Sequence, residues 1–172
     1  MKSARKPQPF KAGEEWPPAG RRRRPEAKYR GTLEHMGYWT GAHTKHRLRF
    51  HIVWIPKYRK RVLQGEVASR LRNIWYEACK LNRWWIHEMN IMPDHVHLLI
   101  QFQPRYSVAK VVQLLKGGSS RIVRKEFPEL EEWLWGDSFW ADGYFAESVG
   151  QLQEDIIKRY IREQRDSEPQ KD

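Results

Sequence analysis

The amino-acid sequence predicts an α+β domain, and three observations carry that expectation. Apolar residues recur with helical spacing over 66–82 and again over 108–127, each long enough for a full helix. Around these stretches lie shorter runs rich in branched and aromatic residues, the pattern of strands. Pro93-Asp94, a turn signal, joins two such runs and predicts an antiparallel hairpin.

Taken in order, residues 1–45 read as a basic, proline-rich, flexible extension. Prolines stand at 7, 9, 17, 18 and 25 beside the run Arg21–Arg24, with too little apolar content to offset chain entropy. A folded domain is expected over 46–166, and 167–172 reads as a polar tail. Leu48–Ile55 is a strand candidate stopped by Pro56. Val67, Leu71, Ile74, Trp75, Ala78 and Leu81 set the period of the first helix. Arg83–Ile91 reads as a second strand, and the run from His95 to Phe102 as a buried third. Ser107 is placed to cap the helix carrying Val108, Val111, Val112, Leu114 and Leu115, whose middle Gly117-Gly118 weakens. Phe139–Glu147 suggests a fourth strand. Ser148 then stands as the cap of a last helix through Leu152, Ile156, Tyr160 and Ile161. The order β-α-β-β-α-β-α begins as the ferredoxin-like (RRM-like) βαββαβ arrangement, an antiparallel sheet with two helices on one face. A seventh element, the C-terminal helix, is left over.

The formal net charge is +11. Residues 1–49 hold 13 Lys/Arg against 4 Asp/Glu, so most of the excess lies in the N-terminal segment. A polyanionic partner follows, nucleic acid ahead of a membrane surface. No apolar run is long enough to span a bilayer, and no apolar segment follows the basic N-terminus as a secretory signal would require. The single cysteine, Cys79, reads as a small core residue in a reducing compartment.

In a strand, His95 and His97 point to one face while Val96 points to the other. Two imidazoles on one face are half of a metal site, although a His-x-His pair alone is a weak signal. On the last helix Tyr160 and Gln164 are four residues apart and share a face. A tyrosine phenol can attack phosphorus and hold the strand covalently, retaining the bond energy for rejoining. Gln164 can lend an amide oxygen to an ion held by His95 and His97. That donor set, with open positions for water and phosphate, suits Mg²⁺ or Mn²⁺ over Zn²⁺, since the sequence shows no cysteine cluster and no third histidine close by. Lys57, Arg59, Lys60 and Arg61, interleaved with Tyr58, and Lys116 and Arg121 are candidate DNA contacts. Each reads equally as ordinary surface charge.

The stretches Phe50–Arg59, Met92–Leu99, Leu115-Lys116-Gly117 with Ser119-Ser120-Arg121, Phe139-Trp140 with Gly143-Tyr144-Phe145, and Arg159-Tyr160-Ile161 with Gln164 together resemble one family. It is the small single-tyrosine HUH transposases of bacterial and archaeal insertion sequences, with the REP-associated tyrosine transposases as close relatives. The resemblance runs from about Arg47 to Gln164, in the family's motif order. It puts the His-hydrophobic-His motif on His95-Val96-His97, the nucleophile on Tyr160 and the third metal ligand on Gln164. It implies a ferredoxin-like core, homodimers with composite active sites, and binding of imperfect hairpins in single-stranded DNA. It also implies cleavage to a 5′-phosphotyrosine and a free 3′-OH, then strand rejoining without ATP. The long basic N-terminal extension and Gly117-Gly118 depart from the family's compact members.

Such a protein is expected in the cytoplasm, at the nucleoid. A domesticated relative acting on chromosomal hairpin repeats would use the same chemistry. Two other readings differ in kind: a non-catalytic RRM-like RNA- or single-strand-binding module, to which nine tryptophans would be suited, and a metal phosphodiesterase using water in place of Tyr160.

Overall fold

The computed structural model describes residues 37–40, 43–132 and 138–164. Most of the 1–45 extension and all of the 167–172 tail therefore lie outside the described residues. Of the extension, a short hairpin is described: β1 (Trp39–Thr40) pairs antiparallel with β2 (Lys45–His46). The Trp39 and His46 rings meet edge-on across the pair at 6.0 Å, a cross-strand contact that the composition of the segment did not predict.

The main elements follow the expected order. They are β3 (Arg49–Trp54), α1 (Gly65–Asn82), β4 (Trp85–Met92), β5 (His95–Gln101), α2 (Val108–Glu126), β6 (Phe145–Ser148) and α3 (Glu154–Glu163). The four-stranded sheet runs β4-β5-β3-β6, antiparallel throughout. This is the ferredoxin-like arrangement. Alternation in β3 and β5 sends Ile52, Trp54, Val96, Leu98 and Ile100 to one face, where they join Leu71, Trp75, Val111 and Leu115 of α1 and α2 in the main core. Cys79 is buried there, and burial pushes its thiol up to about 12, the behaviour of an inert core residue.

Ser107 caps α2 as expected, its hydroxyl accepting from the Lys110 N–H at 3.2 Å. Gly117 and Gly118 do not interrupt that helix. Leu115, Ser119 and Val123 are buried around them, and this packing outweighs a propensity cost of about 1 kcal/mol per glycine.

Two expectations at the C-terminal end are corrected. The last strand covers only Phe145–Ser148, because Trp140 makes just an isolated bridge to Pro56 and then packs into the core. Ser148 is the end of that strand and no cap. The chain instead turns at Gly150, runs through a short 3₁₀ segment at Gln151–Gln153, and enters α3 at Glu154 without a side-chain cap.

Trp54, Trp75 and Trp140 pack against one another with ring centroids 5.2–6.1 Å apart, and the Trp75 Nε1–H donates to the Leu115 carbonyl at 3.2 Å. Trp75→Ala would leave a large cavity between both helices and the sheet. The expected cost is about 3–5 kcal/mol, read as a lower denaturant midpoint.

Candidate active site

The second face of the sheet is built differently. The same alternation puts Arg49 and His51 of β3, and His95, His97, Leu99 and Gln101 of β5, on this side. Strand register sets His51 directly opposite Glu147 of β6, with His97 on the diagonal, opposite Val53. His51 Nε2 lies 3.0 Å from His97 Nδ1, and His51 Nδ1 lies 2.9 Å from Glu147 Oε1. His95 Nδ1 meets Asp94 Oδ1 at 2.6 Å, and the Arg59 Nε–H donates to the other Asp94 oxygen at 2.8 Å. Burial raises the Asp94 carboxyl, but the hydrogen bonds from His95 and Arg59 outweigh it and leave its pKa below the ordinary value.

Helix α3 covers this face and brings Tyr160 to it. Ile161 is fully buried against Leu99 and Val149. The Asn90 Nδ2–H donates to the Ile161 carbonyl at 2.8 Å, and the Arg162 Nε–H donates to Glu88 at 2.8 Å. At the other end of α3, buried Glu154 is met by Arg47, Arg49 and Lys158. Burial, with Arg47 alongside, pulls the Arg49 guanidinium down to about 10. Glu154 therefore stands among cations that have lost much of their solvent. With both ends held, the Tyr160 ring lies edge-on to His97 at 5.5 Å and to His51 at 6.2 Å, and it keeps 45% exposure. Tyr160 thus faces the imidazoles of its own chain. Gln164 lies one turn on, half-buried at the end of α3, its N–H donating to the Tyr160 carbonyl at 3.2 Å.

The described residues contain no group of three or more His, Cys, Asp or Glu side chains placed to hold a metal ion. An ion here has to take two imidazoles and complete its shell with an amide, water or phosphate. The His pair fits that task. His97 is 4% exposed, and its Nε2 has no hydrogen-bond partner among the described residues. His95 has its Nδ1 engaged by a carboxylate, the usual outer support of a ligating imidazole. No third histidine lies near His95 and His97 in the sequence, but the fold brings one, His51. Both its ring nitrogens are engaged, by Glu147 and by His97, so it is a neighbour of the donor set and not a member.

Burial, with the charges of His95 and His51 adding, pushes His97 down to about 4. Burial likewise takes His87 to about 4, the Gln101 hydrogen bond opposing and nearby Arg49, Lys158 and Arg47 assisting. Between those values and the ordinary 6.5, the unfolded chain binds protons that the folded chain does not. Stability contributed by these neutral imidazoles is fully present above pH 6.5 and is lost as pH falls toward about 4. The unfolding free energy should fall by on the order of 3 kcal/mol per imidazole across that window. His97→Gln should flatten the slope in a denaturant titration repeated at several pH values.

The candidate DNA contacts divide between two places. Lys57, Tyr58 and Arg59 form a 3₁₀ turn in which Tyr58 and Arg59 hold positive φ of 59° and 52°. That strained turn delivers Arg59 to Asp94 and leaves Lys60 and Arg61 exposed beside it. Lys116 and Arg121 lie on α2, on the other side of the sheet. They line a groove of about 720 Å³ together with Arg124, Lys125, Trp140 and Tyr144. The Lys116 ammonium is directed at the carbonyls of Ala141, Asp142 and Gly143, so in this conformation it clamps that loop.

The family model described as Transposase IS200 like matches residues 44–164, which contain the whole sheet, the three histidines and the tyrosine helix. The chain belongs to that family. It is 37% identical to the ISDra2 transposase TnpA of Deinococcus radiodurans over 123 residues, covering 72% of this chain and 88% of that protein. It is 32% identical to the transposase for insertion sequence element IS200 of Salmonella typhimurium over 125 residues, covering 71% of this chain and 82% of that protein. Among solved structures, a candidate transposase from Deinococcus radiodurans R1 superposes with a TM-score of 0.61 at 32% identity, over 73% of this chain and 97% of that one. A REP-associated tyrosine transposase bound to a REP hairpin superposes with a TM-score of 0.54 over 73% of this chain and 70% of that one. At 12% identity that second likeness is one of fold. An IS200-like transposase with this sheet has no helix among the described residues long and apolar enough to cross a membrane.

Proposed function

We propose that this IS200-like transposase cleaves and rejoins single-stranded DNA at hairpin-bearing ends, with Tyr160 as nucleophile. The observation carrying this reading is Tyr160 held edge-on over His97, whose buried Nε2 has no hydrogen-bond partner among the described residues. His95 and His97, with Gln164 one turn beyond the tyrosine, are the residues that would hold Mg²⁺ or Mn²⁺. A bound divalent ion supplies Lewis-acid polarisation of the scissile phosphate. The Tyr160 phenol oxygen attacks phosphorus, the bond to the 3′ oxygen breaks, and that oxygen takes up a proton as it leaves. The phenol's proton passes to solvent, to which the ring is open. The 5′-phosphotyrosine keeps the bond energy, so the reverse attack by another 3′-OH needs no nucleotide.

The basic turn at 57–61 and the groove beside Arg121 are proposed to bind the DNA backbone. A homodimer is proposed on the exposed Leu152, Ile156 and Phe145, which lie around the tyrosine helix and an open sheet edge. A cytoplasmic location at the nucleoid goes with that substrate. The non-catalytic RNA-module reading is disfavoured by two features. Helix α3 covers the sheet face on which such modules stack bases, and Trp54, Trp75, Trp84 and Trp140 lie in the core.

The test mixes the purified chain with single strands copied from the DNA flanking its gene, with and without Mn²⁺. The reading expects a metal-dependent, denaturant-resistant protein–DNA adduct. Binding without adduct on either strand of either flank would favour the binding module. Cleavage without adduct would favour hydrolysis by water.

A further inference from the structure

We propose that His51 is a positioning residue, the middle member of a Glu147–His51–His97 relay that holds His97 in its Nδ1–H tautomer and leaves Nε2 as a bare lone pair. The proposal rests on the reading that His95 and His97 hold a metal, and it adds the groups that make His97 able to do so.

Each link follows from donor and acceptor capacity. A carboxylate can only accept, so at 2.9 Å from Glu147 the Nδ1 of His51 must carry a proton and donate it. With His51 neutral, its ring has one donor and one acceptor, so Nε2 accepts. Its partner at 3.0 Å, His97 Nδ1, must then donate. That leaves Nε2 of His97 without a proton, and this nitrogen is buried and has no hydrogen-bond partner among the described residues. The reverse tautomers would set two lone pairs against each other at the Glu147 contact.

The relay is built into strand pairing. His51 and Glu147 are register partners on neighbouring strands, and the His51 and His97 rings are near parallel, 12° apart with centroids at 5.3 Å. Phe145 and Tyr160 each meet the His51 ring edge-on, at 6.1 and 6.2 Å. His95 reaches the same state by a shorter route, with Asp94 directly on Nδ1. Both imidazoles of the pair therefore present Nε2, one oriented by a carboxylate at first hand and one through a histidine. Outer-shell orientation of this kind typically governs metal affinity by about 10–100-fold.

The test uses the full chain labelled with ¹⁵N-histidine and free of metal, with His97→Gln to assign the ring signals. Two-bond proton–nitrogen correlations report which nitrogen of each ring is protonated. The wild type should show His51 and His97 both as Nδ1–H. Glu147→Gln, whose amide can donate as well as accept, should turn His97 into a mixture of tautomers. It should also weaken Mn²⁺ binding at least about 10-fold, read from the free-ion paramagnetic resonance signal. Glu147 is on the exposed edge strand, so this variant should keep the backbone spectrum of the wild type. His97 found as Nε2–H in the wild type would overturn the relay. So would a Glu147→Gln chain with unchanged tautomers and unchanged Mn²⁺ affinity. If the wild type shows the predicted tautomers and binds no Mn²⁺, the relay stands and the metal reading falls. Metal-dependent adduct formation with the wrong tautomer sinks the relay alone.

Discussion

Tyr160→Phe should abolish the covalent protein–DNA adduct while leaving binding of a hairpin-bearing single strand within a few-fold of wild type. The substitution removes one oxygen from a ring that is 45% exposed, so almost nothing in the fold depends on it. Ile161 and not Tyr160 anchors α3 in the core, through Leu99 and Val149. The edge-on contacts of the ring with His97 and His51 survive in phenylalanine. What disappears is the nucleophile, and removal of a nucleophile costs about 10⁴-fold or more in rate. Adduct yield on a denaturing gel, set beside a binding isotherm for the same strand, checks both halves. An adduct that persists in Tyr160→Phe would place the nucleophile elsewhere, with Tyr58 and Tyr144 as the other exposed tyrosines near the basic surfaces.

His97→Ala should give the second large loss, by a different route. It removes the buried Nε2 and leaves His51 Nε2 facing a cavity. Cleavage should fall by more than about 100-fold, the upper end of what loss of an outer-shell partner alone brings. Mn²⁺ affinity should fall with it, whereas Tyr160→Phe should leave Mn²⁺ affinity close to wild type. Measuring adduct yield as a function of Mn²⁺ concentration separates the two variants. Full cleavage by His97→Ala at ordinary Mn²⁺ would remove His97 from the ligand set.

The parts of the site that are local in sequence are the parts that could be read from it. Period-two alternation places His95 and His97 on one face, and helical spacing places Tyr160 and Gln164 on one face; both are properties of single elements. His51 and Glu147 escaped because their meeting depends on the register of β3 against β6 and β5, a non-local pairing. A signal was present: Arg49 and His51 alternate with Phe50, Ile52 and Trp54, which marks a polar sheet face that some other element must cover. Asp94 was legible as a turn residue, but its carboxylate on His95 was not. The entry to α3 was misread at Ser148 because strand pairing holds that residue opposite Phe50, and Glu154 starts the helix where Arg47 and Arg49 can reach it. Lys116 reads from the sequence as a DNA contact or as surface charge, and what the sequence does not show is its approach to three carbonyls of the 141–143 loop.

In the proposed reaction one residue of this transposase, Tyr160, becomes joined to DNA. The most direct measurement digests the adduct with protease and nuclease and locates the modified residue by mass spectrometry. A nucleotide joined through its 5′-phosphate is expected on the peptide containing Tyr160. A nucleotide on any other residue, or metal-dependent cleavage with no modified peptide at all, would contradict it.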